Sequence, residues 1–171
     1  MELCSDDEMA ALVKTIEREE EDDLAAVDSA LQEFPQDPRL HFMRGSILAG
    51  RQDPLPAHAA LSRAVDLARD FHLARYQLGF FELTSGEVDQ ALSTWGPLLR
   101  LPETAYLRHF VEGLTHLVRD EFDQAIERLG SGIAANLENE PLNQDIRMLI
   151  TACENAGTGE TNGSAARERT Q

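Results

Sequence analysis

HLARYQLGFFELTSGEVDQALSTWGPLLRL, residues 72–101, breaks at Ser85-Gly86 into two segments, the first carrying Leu73, Tyr76, Phe80 and Leu83 at helical spacing. Reading outward from it, Gly79 recurs as Gly45 and Gly113, 34 residues to either side. Twelve residues after each glycine stands an alanine, Ala57, Ala91 or Ala125. Four further on come Leu61, Trp95 and Leu129, and three beyond those Ala64, Leu98 and Gly132. Val27 and Ala30 carry the last two series one period upstream. A fixed period of this length marks a helical repeat array.

Two antiparallel helices per unit must approach closely, and only a residue with little side chain fits where their backbones cross. The glycine is expected on the first helix of each unit and the alanine on the second, with the large residue four positions on filling the space between units. In its period and in Leu78-Gly79, Gly86-Glu87, Ala91, Trp95 and Leu99, the chain resembles the tetratricopeptide repeat family. The copy over 106–136 keeps Gly113, Phe122, Ala125 and Leu129, while the copy over 38–69 has Gln52-Asp53-Pro54 in place of the glycine-containing turn. The resemblance implies an all-α, right-handed superhelical stack of helix-turn-helix repeats. Residues 1–37 form an acidic, degenerate helical pair, 38–139 three repeats, and 140–155 a closing helix. Residues 156–171, GTGETNGSAARERTQ after Ala156, have no large apolar side chain and are expected to be a disordered tail.

The chain has 171 residues, 42% of them hydrophobic, enough for one elongated domain. Its formal charge of -16 argues against nucleic acid, whose binding is driven by cations replacing phosphate counterions. No run of about 18 apolar residues and no leader is evident, so the cytoplasm is the expected location. Arginine supplies nearly all the basic residues, a composition typical of GC-rich bacterial genomes. Cys4 and Cys153 make no zinc or disulfide spacing. Most of the acidity is N-terminal: 13 acidic and 2 basic side chains precede Pro38, including the run EREEEDD at 17–23. That run reads as a solvated helix face or as an arm steering a basic partner. The first helix is expected to start after Ser5, capped with Glu8, and to bury Met9, Leu12, Val13 and Ile16.

The resemblance also implies that first helices line a concave groove through positions 2, 5, 9 and 12 of each repeat. In this chain those positions give Arg39, Phe42, Leu73, Tyr76, Phe80, Leu83, Leu107, Phe110, Leu114 and Leu117 as candidate partner-binding residues, with Ser46 and Ala49 completing the set. The groove so drawn is apolar, with an aromatic ladder at Phe42, Tyr76 and Phe110. The Lys, Arg and Asn pattern that clamps a C-terminal carboxylate is missing. His109, Glu112 and His116 share a helix face, yet their spacing is not HExxH and no third strong ligand is evident. No metal, cofactor or catalytic residue is expected. The function read from the sequence is a non-catalytic protein-interaction module taking a hydrophobic or amphipathic segment of a partner. Size, acidity and architecture also resemble the bacterial type III secretion chaperones. The remaining alternative is a self-associating protein, such as a homodimer, whose groove is filled by itself.

Overall fold

The computed structural model describes residues 3–16 and 23–167, with side chains described as far as Gly157. Apart from Asp23, the acidic run lies outside the described residues. Among the described residues the protein is all-α, with no strand. The helices are α1 Asp6–Ile16, α2 Asp23–Glu33, α3 Pro38–Gly50, α4 Pro54–Leu67, α5 His72–Thr84, α6 Val88–Trp95, α7 Tyr106–Val118, α8 Phe122–Ala135 and α9 Glu140–Arg167. A 3-10 turn at Leu98–Arg100 follows α6.

The turn inside each repeat is the same object built from different residues. Asp53, Glu87 and Glu121 donate their amides to the carbonyls of Leu48, Glu82 and His116 at 3.0, 2.9 and 3.0 Å, each closing the preceding helix with a Schellman-type bond. That bond requires a left-handed residue just before the donor. Gln52, Gly86 and Asp120 fill the position with φ of 59, 87 and 58°, again 34 residues apart. Only the middle repeat uses glycine, so the turn at Gln52-Asp53-Pro54, which departs from the family form in sequence, keeps its geometry. An L-residue in this conformation costs about 1–2 kcal/mol, least for Asp and Asn. The next helix then starts from the same donor residue, whose carbonyl accepts from Ala57, Ala91 or Ala125.

The glycines serve the close approach that their period implies. A Cβ on Gly45 would lie 2.6 Å from Leu61 Cγ, and one on Gly113 2.7 Å from Leu129 Cγ. Both leucines are therefore seated on the glycine of their own unit. The sequence expectation placed them between units; Leu61 does both, since it also joins Ala64, Val65, Ala74 and Leu78 in a buried cluster edged by Phe42, Phe71 and Phe81. All four members of that series, Val27, Leu61, Trp95 and Leu129, are fully buried.

The chain forms two compact units, Met1–Thr94 and Trp95–Gln171. In the first, α1 carries the expected capping box, with Ser5 Oγ and Glu8 Oε2 at 2.7 Å and the Ser5 amide donating to Glu8 at 2.9 Å. Contrary to expectation, α1 buries none of its residues: Met9, Leu12 and Ile16 are half-buried and Val13 is 38% exposed. Its apolar side meets only the edge of the array. Helix α6 stops at Trp95 because Pro97 has no amide hydrogen and disfavours helical backbone at Gly96. The 3-10 turn beyond it buries Leu98 and exposes Leu99.

In the second unit α7 and α8 pack through Gly113 and Leu129, and an asparagine network sets the passage into α9. Asn136 Nδ2 donates to Asn143 Oδ1 at 2.9 Å and to the Asn139 carbonyl at 3.0 Å. Asn143 Nδ2 returns a bond to the Asn136 carbonyl at 3.0 Å, and Asn136 Oδ1 accepts from the Asn139 amide at 3.1 Å. Both Asn136 and Asn143 are buried, and their bonds satisfy the end of α8. Among the residues of α9 whose side chains are described, Asn143, Ile146 and Cys153 are buried. The closing helix expected over 140–155 runs on to Arg167, where a disordered tail was expected.

Two consequences are measurable by chemical denaturation. Gly113→Ala should destabilise the protein by about 1–3 kcal/mol by forcing Leu129 away, whereas Gly130→Ala, with no atom within 4 Å of the new methyl, should be stabilising by about 0.5–1 kcal/mol. Equal effects from the two would contradict the close approach. Gln52→Gly should raise the melting temperature, gaining about 0.5–1 kcal/mol, and Asp120→Gly less, while Gly86→Ala should lower it.

Candidate partner-binding surface

The candidate residues lie on α3, α5 and α7, the first helices of the three repeats. On α3, Arg39 is committed to the N-terminal segment. Asp37, wholly buried, caps α3 by accepting from the Arg39 amide at 2.9 Å and also accepts from the Cys4 amide at 3.1 Å. The Arg39 guanidinium bonds Asp37 through Nη2 at 2.7 Å and Nε at 3.1 Å, reaches Asp6 at 3.2 Å and donates to the Cys4 carbonyl. Four donors thus converge on one carboxylate, and the chain before α1 is held against the start of α3. Burial alone would raise the Asp37 pKa, but the bonds and charge of Arg39 together with the Cys4 amide outweigh it and leave the group below its ordinary value. Burial pushes the Cys4 and Cys153 thiols upward, which keeps both protonated and unreactive.

Further along α3, Phe42 is half-buried and tilts against Phe71 with ring centres 5.2 Å apart. Ser46 is also half-buried and turns its hydroxyl back to the Phe42 carbonyl at 3.0 Å. Together with Met43, Ile47 and, from α1, Val13 and Ile16, they line an open hollow of about 180 Å³. On α5, Tyr76 is 2% exposed and lies parallel to Phe80, with 6.2 Å between ring centres. Leu73, Phe80 and Leu83 are half-buried along the same helix.

On α7 the three inner candidates, Leu107, Phe110 and Leu114, are buried, and Leu117 is half-buried. Phe110 turns toward α8: a Cβ on Gly132 would lie 2.4 Å from its ring, so the glycine makes the space the ring occupies. Tyr106 meets the same ring edge-on at 5.7 Å. The ladder Phe42, Tyr76, Phe110 is therefore graded, partly open at its first rung and enclosed at the other two. At the third rung Gly132 of α8 supplies the room for the Phe110 ring, and His109, Glu112 and His116 are the polar residues at usually packed positions of α7. Of these, Glu112 accepts from Arg108 at 2.9 Å and pairs with Arg128 at 3.4 Å, while His116 Nδ1 meets Glu121 at 2.5 Å. The hydrogen bond to Glu112, with the charges of Glu112 and Glu103, outweighs desolvation and raises the Arg108 pKa. Glu112 and His116 thus have separate engagements, and the buried Nδ1 of His109 has no hydrogen-bond partner. Among the described residues no three His, Cys, Asp or Glu side chains converge as a metal site requires.

Sequence reading missed the buried Glu82, one residue before the candidate Leu83. Its Oε1 meets His58 Nε2 at 3.1 Å, joining α5 to α4, and its Oε2 has no hydrogen-bond partner. Only the strict helical count from Gly79 could have placed it inward; its charge argued the other way.

Two solved structures share the architecture. One, titled "MamA RS-1 ArsTM double mutant", aligns with a TM-score of 0.59 and 13% identity over 87% of this chain and 93% of its own. The other, "MamA 41-end from Desulfovibrio magneticus RS-1", gives 0.60 and 14% over 95% and 94%. At such identities the likeness is one of fold, and it supports a tetratricopeptide-like helical repeat. It lends nothing to the secretion-chaperone resemblance. No protein-family model matches the sequence, and no curated protein is significantly similar to it. Among the described residues no helix is long and apolar enough to cross a membrane.

The Asp37 cluster has a definite pH signature. Its folded-state pKa lies below the unfolded value of about 3.9, so its stabilisation is complete above that value and is lost as pH falls through the folded value. Asp37→Asn should cost about 1–3 kcal/mol at pH 7. The gap from wild type should hold between pH 5 and 7 and close in stronger acid, as read from urea melts across that range. A gap that stayed open in strong acid would mean the charge is not what holds the N-terminal segment.

Proposed function

We propose that this protein is a non-catalytic protein-interaction module that receives a hydrophobic or amphipathic segment of a partner protein on the faces of its first helices. The observation that carries this reading is the stripe along α5. Tyr76 is enclosed beneath Phe80, while Leu73, Phe80 and Leu83 stay half-open on the same helix. An apolar row of this kind suits anchors at helical spacing in a bound segment. Phe42, half-open on α3, continues the chemistry within the same unit, and the enclosed Tyr76 backs the α5 row. Arg39, engaged with Asp37 and Asp6, contributes by holding the N-terminal segment rather than by meeting ligand. Repeat scaffolds host many partners, so the fold names the mode of action and the side chains must name the ligand.

The test uses side chains whose replacement leaves the core intact. Phe80→Glu and Leu83→Glu should fold, by circular dichroism and melting, yet lose the proteins that co-purify with the wild-type chain from its native source. Undiminished capture by both folded variants would remove the α5 stripe from the function. A wild-type dimer that either variant converts to a folded monomer would instead show that the stripe is covered by a second copy.

A further inference from the structure

We infer that the hollow between α1 and α3 is an anchor pocket for one aromatic or large aliphatic side chain of a Lys- or Arg-rich segment of a partner protein. This rests on the interaction-module reading and gives its ligand a chemistry. Six residues line the hollow: Val13, Ile16, Phe42, Met43, Ser46 and Ile47. The one hydroxyl among them donates to the Phe42 carbonyl, so the walls offer an incoming group no hydrogen-bond donor. At about 180 Å³ the space is on the scale of an apolar cavity that takes a benzene ring, which sets the ligand at one large side chain.

Charge selects what surrounds that anchor. Residues 1–37 carry 13 acidic and 2 basic side chains, a net of -11, and one wall of the hollow comes from this segment. The first turn of α1 is Asp6, Asp7 and Glu8. At the other end of the helix, Ile16 lines the hollow. A cationic segment is drawn to such a surface and an anionic one repelled, with the long-range part weakening as salt rises. The wall itself is in place without ligand. The Asp37-Arg39-Cys4 bonds fix the start of α1, while Val13 near its far end stays 38% exposed at the pocket rim.

The experiment measures binding of fluorescent alanine-lysine helical peptides to the full chain by anisotropy. One carries a single central Phe, the second Ser in its place, and the third has the Phe but glutamate for every lysine. The Phe-lysine peptide should bind at least about tenfold more tightly than either of the others. Ser46→Leu fills the hollow from α3 without losing an inter-helix bond, and Val13→Asp makes its rim polar. Each should cut the advantage of the Phe-lysine over the Ser-lysine peptide by about tenfold or more, the added carboxylate of Val13→Asp acting on the charge of both peptides alike. Equal binding of the Phe and Ser peptides would overturn the pocket, and equal binding of the lysine and glutamate peptides would overturn the charge preference. Wild-type affinity in both folded variants, or no binding at all, would overturn the inference as a whole. If Phe80→Glu abolishes capture of the native partner while Ser46→Leu and Val13→Asp spare peptide binding, the interaction module stands and the pocket falls. Sedimentation of the wild type as a dimer that Ser46→Leu dissociates would show a second copy in the hollow and also overturn it.

Discussion

Everything in this fold hangs on the distance at which two helices of a repeat can cross. Leu61 and Leu129 are seated where a methyl on Gly45 or Gly113 would be, about a full ångström inside ordinary contact. Removing the methyl lets the helices close and lets one leucine fill both the crossing and, for Leu61, the floor beneath the next first helix. Packing of this density tolerates little change in volume. It also explains why the alanines are fully buried: a second small residue on the facing helix keeps the backbones near enough for the leucine to be gripped. The 34-residue period follows, because the crossing recurs once per helix pair.

With the crossing in place, the turns have little freedom. Each first helix ends in the same Schellman-type bond, and the chain accepts a left-handed Gln52 and Asp120 to make it. A local penalty is tolerated where tertiary packing needs the next helix to start at one place. The ends of the array are handled by polar groups instead. At one end Asp37 gathers the Cys4 amide and Arg39; at the other Asn136 and Asn143 satisfy one another and the neighbouring backbone. Buried polar groups are costly when unpaired, so completed networks of this kind admit few alternative arrangements.

The same economy decides what is left for binding. Arg39, the one cationic candidate, is consumed at the N-terminal end, and Leu107, Phe110 and Leu114 are consumed by the core. The candidates that stay half-open are Phe42 on α3, Leu73, Phe80 and Leu83 on α5 and, in the second unit, Leu117 on α7, and an acidic N-terminal segment precedes them in the chain. On the proposed interaction-module reading, charge sets the approach of a partner and apolar surface the contact.

Period, composition and turn signals by themselves determined the class of fold, the helix pairs and the burial of the alanine series and of Leu61, Trp95 and Leu129, because close packing leaves only one kind of residue able to stand at each crossing. The capping box at Ser5 and Glu8 was legible for the same local reason. Which member of a ladder position faces inward was decided only by tertiary structure. Phe42 and Phe110 occupy equivalent places, yet one is half-open and the other enclosed, since a glycine on the partner helix, Gly132, admits the ring of Phe110. The burial of Glu82, the capture of Arg39 by Asp37 and the exposure of Val13 were likewise invisible in the chain. Glu82 meets His58 on α4, and Arg39 is shared between Asp37 and the segment from Cys4 to Asp6; a repeat register constrains spacing along the chain without saying which neighbour a side chain will meet.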